Sequence, residues 1–293
     1  MSSSKLHFIS GLPRSGSTLL AALLRQNPRF HAAMSSALAP LLAANLNVMS
    51  AGNEASLLMD PHQRPEILRA VADAFCHTTT DREVFFDTNR SWCAKMPLIA
   101  DLYPSAKVIA CVRDLPWILD SLERLFRRNP YENTRLFGSD DERGSVYSRT
   151  ESLARHNRLV GYPWTALKEA FYGEQAGNLL VVDYEILAKS PEKALRLIYQ
   201  FIEEPWYDGH DFDNVEYDAP RFDDALGVAG LHKVRPKVSF EARKTVLPPD
   251  LFKKFEDMDF WRDSSGSAAH VLVAKTAKLD SAALANKLAH LKS

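Results

Sequence analysis

The chain is poor in cysteine, has almost no net charge and lacks any long apolar run. Its three cysteines, Cys76, Cys93 and Cys111, lie far apart and form no C-x-x-C pair. That excludes a disulfide framework and a cysteine-built zinc site, and leaves buried free thiols in a reducing compartment. A formal net charge of −1 gives no global field that would draw the molecule onto nucleic acid or anionic lipid. No segment approaches the ~20 apolar residues that span a bilayer. No apolar stretch of signal-peptide type precedes residue 8, so a cytoplasmic protein without a membrane span is expected. The most informative absence is a single lysine. In "GLPRSGST", Gly11 and Gly16 sit at the spacing of the ATP-binding loop G-x-x-x-x-G-K-[ST], and Thr18 fills the last place. Ser17 stands where that lysine belongs, and a cation occurs earlier, at Arg14.

What is present is ordinary for a globular protein, with 46% hydrophobic and 25% charged residues and length enough for a sizeable core. "LHFISGL" reads as a buried strand that feeds the loop, and "STLLAALLRQ" as a buried helix stopped at Asn27-Pro28. "RPEILRAVADAFCHTT" predicts a helix with Ile67, Leu68, Val71 and Phe75 on its core stripe. "EVFFD", "KVIACVRD" and "NLLVVDYE" read as core strands. "PWILDSLERLFRRN" is a helix with Ile118, Leu122 and Leu125 inward. "SVYSRTESLARHNRLV" and "WTALKEAFYG" read as two helices interrupted at Gly161-Tyr162-Pro163. "SPEKALRLIYQFI" has Ser190 as N-cap, Pro191 just inside, and Leu195, Ile198 and Ile202 inward. Strands alternating with helices predict an α/β, P-loop-type three-layer fold: a central parallel sheet flanked by helices. One domain is expected over residues 1–262, with 263–293 as a C-terminal extension carrying a loosely attached helix.

A loop of this shape is an anion site. Its backbone amides and the positive end of the following helix suit a phosphate, and Pro13 and Gly16 shape the turn. Ser15, Ser17 and Thr18 add hydroxyls, and Arg14 adds a planar fork for phosphate or sulfate oxygens. A magnesium-bridged triphosphate needs the missing lysine and a strand-end aspartate. Asp87, Asp114 and Asp183 all occupy such positions and so discriminate nothing. A donor that places one phosphate in the loop, with no metal, fits better.

"GLPRSGSTLL" resembles the 5′-phosphosulfate loop of sulfotransferases that use 3′-phosphoadenosine 5′-phosphosulfate (PAPS), most of all the tyrosylprotein type and its bacterial counterparts. That family's second motif is a strand ending in arginine, followed by a helix carrying serine eight places later; the pair binds the donor's 3′-phosphate. "KVIACVRDLPWILDS" supplies Arg113 and Ser121 at that spacing. Arg113 leaves the carboxyl edge of the sheet, where open α/β sheets bind ligands. Tyr184 in "VVDYE" resembles a donor contact. Lys233 and Arg235 in "GLHKVRP" resemble the late basic segment that closes over the donor. The resemblance spans residues 6–240, strongly at two motifs and weakly between them. Trp117, Tyr184 and Trp206 are candidate walls for adenine.

The resemblance implies sulfuryl transfer from PAPS to a hydroxyl acceptor: a peptide tyrosine, or a carbohydrate, lipid or small-molecule hydroxyl. Arg127 to Tyr172 could line the acceptor cleft or serve as a helical cover. Arg14 would offset charge on the leaving phosphate. The family also places a cation near the bridging oxygen, for which Arg90 and Lys95 both qualify. Its general base, a glutamate about twenty residues past the loop arginine, has no counterpart. The count lands on Ser35, and the next carboxylate is Glu54. Met96 stands where other sulfotransferases have a histidine. Asp87 at a strand end is the first candidate base, His31 the second and Glu54 the third. A divergent nucleotide kinase and a non-catalytic nucleotide-binding protein are the competing readings. The sequence is compatible with a homodimer.

Overall fold

In the computed structural model, which describes residues 4–128, 131 and 134–274, six strands lie at the centre. They are β1 (Lys5–Gly11), β2 (Phe30–Ala32), β3 (Val84–Thr88), β4 (Val108–Val112), β5 (Leu179–Asp183) and β6 (His270–Leu272). They form one sheet in the order β2-β3-β1-β4-β5-β6, and every pairing is parallel. The helices are α1 (Ser17–Leu24), α2 (Leu38–Val48), α3 (Gln63–Thr79), α4 (Met96–Leu102), α5 (Leu115–Arg128) and α6 (Asp140–Arg143). They continue with α7 (Val146–Ala154), α8 (Gly161–Tyr172), α9 (Tyr184–Lys189), α10 (Pro191–Phe201), α11 (Pro220–Ala225) and α12 (Pro249–Lys254).

Strand residues alternate between two cores, as a sheet covered on both faces requires. Phe8, Phe85, Ala110 and Val181 pack with Leu68 of α3, Ile99 of α4, Ile118 of α5 and Leu167 of α8. Ile9, Phe86, Ile109 and Val182 pack with Leu20 of α1, Leu187 of α9, and Leu195 and Ile198 of α10. Among the described residues no helix is long and apolar enough to cross a membrane.

Several local expectations shift. α1 stops at Leu24, three residues before Asn27. The α3 stripe is rotated by one residue: Leu68, Ala72 and Cys76 are buried, whereas Ile67 is 36% exposed. Gly161, Tyr162 and Pro163 do not interrupt a helix but form the first turn of α8, where the N–H that proline lacks has no intrahelical partner anyway. Two short strands, β2 and β6, carry no sequence signal. β6 falls within the expected extension from residue 263 and pairs with β5. From residue 275 onward the extension, with the helix expected of it, lies outside the described residues.

The topology places the site. The chain runs from β1 out to β2 and β3 on one side, then crosses to β4 on the other. The carboxyl ends of β1, β3 and β4 therefore flank a switch point, where such sheets open a crevice.

Candidate active site

The loop after β1 is held by close backbone contact with β4. A Cβ on Gly11 (φ 103°) would lie 2.1 Å from the Cys111 carbonyl oxygen, so no side chain fits there. Gly16 (φ 94°) faces Tyr184, whose Cδ2 would lie 2.9 Å from such an atom. Arg14 is itself left-handed, at φ 57°, a conformation that costs a non-glycine residue ~1–2 kcal/mol. Ser15 corrects the expectation of a ligand hydroxyl. Its side chain is fully buried, and its Oγ donates toward the Cys111 carbonyl at 2.8 Å and the Leu12 carbonyl. Its single proton thus fastens the loop to β4.

Above the loop opens a cavity of about 610 Å³, within the range of pockets that enclose nucleotide-sized ligands. It is lined by Pro13, Arg14, Gly16, Ser17 and Thr18 of the loop, by Asn89 and Arg90 after β3, and by Arg113, Ser121 and Tyr184. Lys233, Arg235 and Arg243 approach from the late segment. Among the described residues nine arginines and lysines line it, against one acid, Glu241. A chain of net charge −1 thus gathers cations at one place, the signature of an anion site.

The two sequence motifs meet inside this cavity. Arg14 Nε donates to Ser121 Oγ at 3.1 Å, and Arg14 Nη1 donates to the Leu231 carbonyl. The Arg113 guanidinium lies 4.6 Å over the Tyr184 ring. Tyr184, packed against Gly16, therefore links the loop to the second motif. Burial, and then repulsion from Arg113, brings the Arg14 pKa down to about 10. Arg113 is likewise lowered, first by burial, with Arg243 adding repulsion that Tyr184 opposes. Burial also lowers Arg90. Such crowding is relieved by an anion placed among the cations.

Other candidates fall elsewhere. Asp87, the first candidate base, is fully buried and does not line the cavity. Trp92 Nε1 donates to its Oδ1 at 2.8 Å and Ser36 Oγ donates to its Oδ2. Burial raises its pKa to about 6 against the pull of those two bonds. It braces the β2–α2 connection and the turn after β3. His31 sits on edge strand β2 with its ring stacked 4.5 Å from Phe85, and burial, then Arg82 and Arg25, lowers its pKa. Lys95 ends a short 3₁₀ turn before α4, and Glu54 begins another at Glu54–Leu58; neither lines the cavity. Of Arg90 and Lys95, only Arg90 faces it. Trp117 packs edge-on against Phe252, and Trp206 against Tyr199, so Tyr184 alone of the three aromatic walls reaches the cavity. Asp114 pairs with Arg262 at 2.6 Å. Asp183 caps α9 through the Glu185 amide and also meets Arg262. Among the described residues from Arg127 to Tyr172, only Arg128, Leu136 and Leu159 contribute to the lining.

Sequence reasoning missed three residues here. Arg243 reaches Asp120 at 2.6 Å and lies beyond the "GLHKVRP" segment where the basic reading stopped. His232 lines the cavity beside Lys233, whose charge drew attention away from it. Its partner Asp223 is fully buried and nine residues earlier, at no recognisable spacing.

Fold and cavity together define an α/β protein with a cation-lined cavity above a glycine loop that lacks the ATP lysine. The chain belongs to the sulfotransferase family: the model described as "Sulfotransferase family" matches residues 7–208. It is 28% identical over 211 residues to "Protein-tyrosine sulfotransferase 1" of Danio rerio, covering 69% of this chain and 54% of that protein. It is 24% identical over 211 residues to "Protein-tyrosine sulfotransferase" of Drosophila melanogaster, covering 69% and 39%. The chain thus spans about half or less of these relatives' length. Mouse sulfotransferase SULT7A1, solved in complex with PAP, shares the fold, with a TM-score of 0.50 at 14% identity over 91% of this chain and 88% of that one.

Proposed function

We propose that the protein is a PAPS-dependent sulfotransferase that passes a sulfuryl group to the hydroxyl of an aromatic acceptor, a peptide tyrosine foremost. The observation that carries this is the contact between Arg14 and Ser121. It joins two motifs, 107 residues apart in the chain, on one cavity of nucleotide size. The loop from Pro13 to Thr18 would hold the 5′-phosphosulfate. Arg113 and Ser121 would hold the 3′-phosphate, with Lys233, Arg235 and Arg243 closing above. Arg90, rather than Lys95, would face the bridging oxygen. When bound, PAPS supplies the activated sulfuryl group; the protein positions it and offsets charge on the departing phosphate.

Leu122, Leu136, Leu159, Phe222 and Leu226 give the same cavity an apolar wall. Such a wall suits a phenol ring better than a sugar, and the two relatives named for protein tyrosine support the same choice. The free, buried Cys76, Cys93 and Cys111 support a reducing compartment.

Adenosine 3′,5′-bisphosphate (PAP) at 100 times its dissociation constant should add about 2.7 kcal/mol of stability, whereas ATP with magnesium should add little. Arg113→Ala and Ser121→Ala should each erase much of the gain. Label from [³⁵S]PAPS should pass to tyrosine peptides in the presence of EDTA. Stabilisation by magnesium-ATP alone would favour the kinase reading. PAP binding without transfer to any hydroxyl would favour a non-catalytic nucleotide-binding protein.

A further inference from the structure

The family's glutamate is missing, and Asp87, His31 and Glu54 stand outside the cavity, so the proton of the acceptor hydroxyl still needs a destination. We infer that His232, oriented by Asp223, is the general base of this protein; the inference rests on the sulfotransferase reading.

Asp223 belongs to α11, is fully buried, and grips His232 twice. Its Oδ2 accepts the His232 backbone N–H at 2.8 Å, and its Oδ1 lies 2.5 Å from His232 Nδ1. The edge-to-face packing of Phe222, with ring centroids 5.4 Å apart, fixes the plane of the imidazole. A carboxylate on Nδ1 selects the tautomer that carries its proton there and leaves Nε2 as an acceptor. Among the described residues no hydrogen bond engages Nε2, and the ring lines the cavity. The preceding residue, Leu231, gives its carbonyl to Arg14, and Asp223 is close enough to raise the Arg14 pKa. The dyad is therefore next to the cation assigned to the donor. Phe222 and Leu226, on either side of Asp223 in the chain, also belong to the apolar wall. The imidazole thus sits where the acceptor wall meets the donor loop.

The step balances without a further reagent. The acceptor oxygen forms a bond to sulfur as its proton passes to His232 Nε2. The bond between sulfur and the bridging oxygen breaks, and its electron pair stays on the phosphate of the leaving bisphosphate. The imidazolium is stabilised by Asp223 and returns its proton to water.

The test uses the full chain, [³⁵S]PAPS and a series of para-substituted phenols of graded acidity, with PAP binding measured by calorimetry. His232→Gln is expected to bind PAP within about twofold of the parent and to lose 10²–10⁴-fold in transfer to weakly acidic phenols, the range general-base groups supply. The loss should shrink steadily as the phenol becomes more acidic, which a merely structural role would not produce. Imidazole should restore part of the rate to His232→Ala. Asp223→Asn should lose less than His232→Gln and show the same trend. A His232→Gln rate within threefold of the parent, or a loss equal across all phenols, overturns the assignment while leaving the sulfotransferase reading intact. A parent that binds PAP but transfers no label to any acceptor overturns both.

Discussion

Asp87 has the residue type and strand-end position of a catalytic carboxylate, yet its surroundings give it structural work. Burial pushes its pKa up to about 6 from 3.8. An acid whose folded pKa is raised holds its proton more tightly in the folded state. Its contribution is therefore most favourable at low pH and is lost as pH rises from about 4 to about 6. The full effect is on the order of 2–3 kcal/mol, and Asp183, raised by burial to about 6 as well, acts in the same direction. Asp87→Asn should flatten the dependence of denaturation midpoint on pH between 4 and 7 and leave PAP affinity unchanged. A slope identical to the parent's would show that Asp87 does not titrate in this window. Ser15 teaches the same lesson. Three neighbouring hydroxyls look equivalent in "RSGST", but only the fold reveals that one of them binds backbone carbonyls.

At the level of elements, periodicity was legible wherever an element is long or fully buried. Strands β1, β3, β4 and β5 have five to seven residues each, and all but Lys5 are buried, so their apolar runs announce them. β2 and β6 have three residues each, too few for any alternation to register. In α3 the stripe turned by one position because Ile67 and Leu68 are both apolar and only tertiary contact chooses between them. The joint of α5 and α7 was also invisible in sequence. Arg149 reaches Glu123 through two parallel bonds of 2.8 and 2.7 Å, Arg127 joins at 2.7 Å, and both Glu123 and Arg149 are buried. Removing Glu123 strands the buried charge of Arg149, whereas Arg127 is half exposed. Glu123→Leu should therefore cost ~3–5 kcal/mol in urea unfolding, and Glu123→Leu with Arg149→Met should recover much of it. A single-variant loss below about 1 kcal/mol would mean that solvent reaches this pair.

Across the whole molecule, the glycine loop and the arginine–serine motif were readable because each is local: a glycine spacing, and a strand followed by one helix. The proposed base was not, because Asp223 and His232 come together only through the irregular chain after α10. That chain is stitched by Val215 to Pro236, Val234 to Tyr217 and Val238 to Phe212 backbone bonds, and it leaves Lys233 and Lys237 exposed. If this segment closes over bound nucleotide, PAP at saturation should slow tryptic cleavage after Lys233 and Lys237 at least tenfold, while ATP should not. Cleavage at the same rate with and without PAP would place the segment outside the donor site.

The bond between Arg14 and Ser121 has a further effect. Ser121 Oγ accepts from Arg14 Nε and keeps its own proton to donate, so the contact need not break when an anion arrives. Arg14 commits donors to Ser121 and to the Leu231 carbonyl and is thereby held in one place. A ligand with negative groups at both ends meets donors whose separation is fixed beforehand, whereas a lone orthophosphate or chloride engages one end alone.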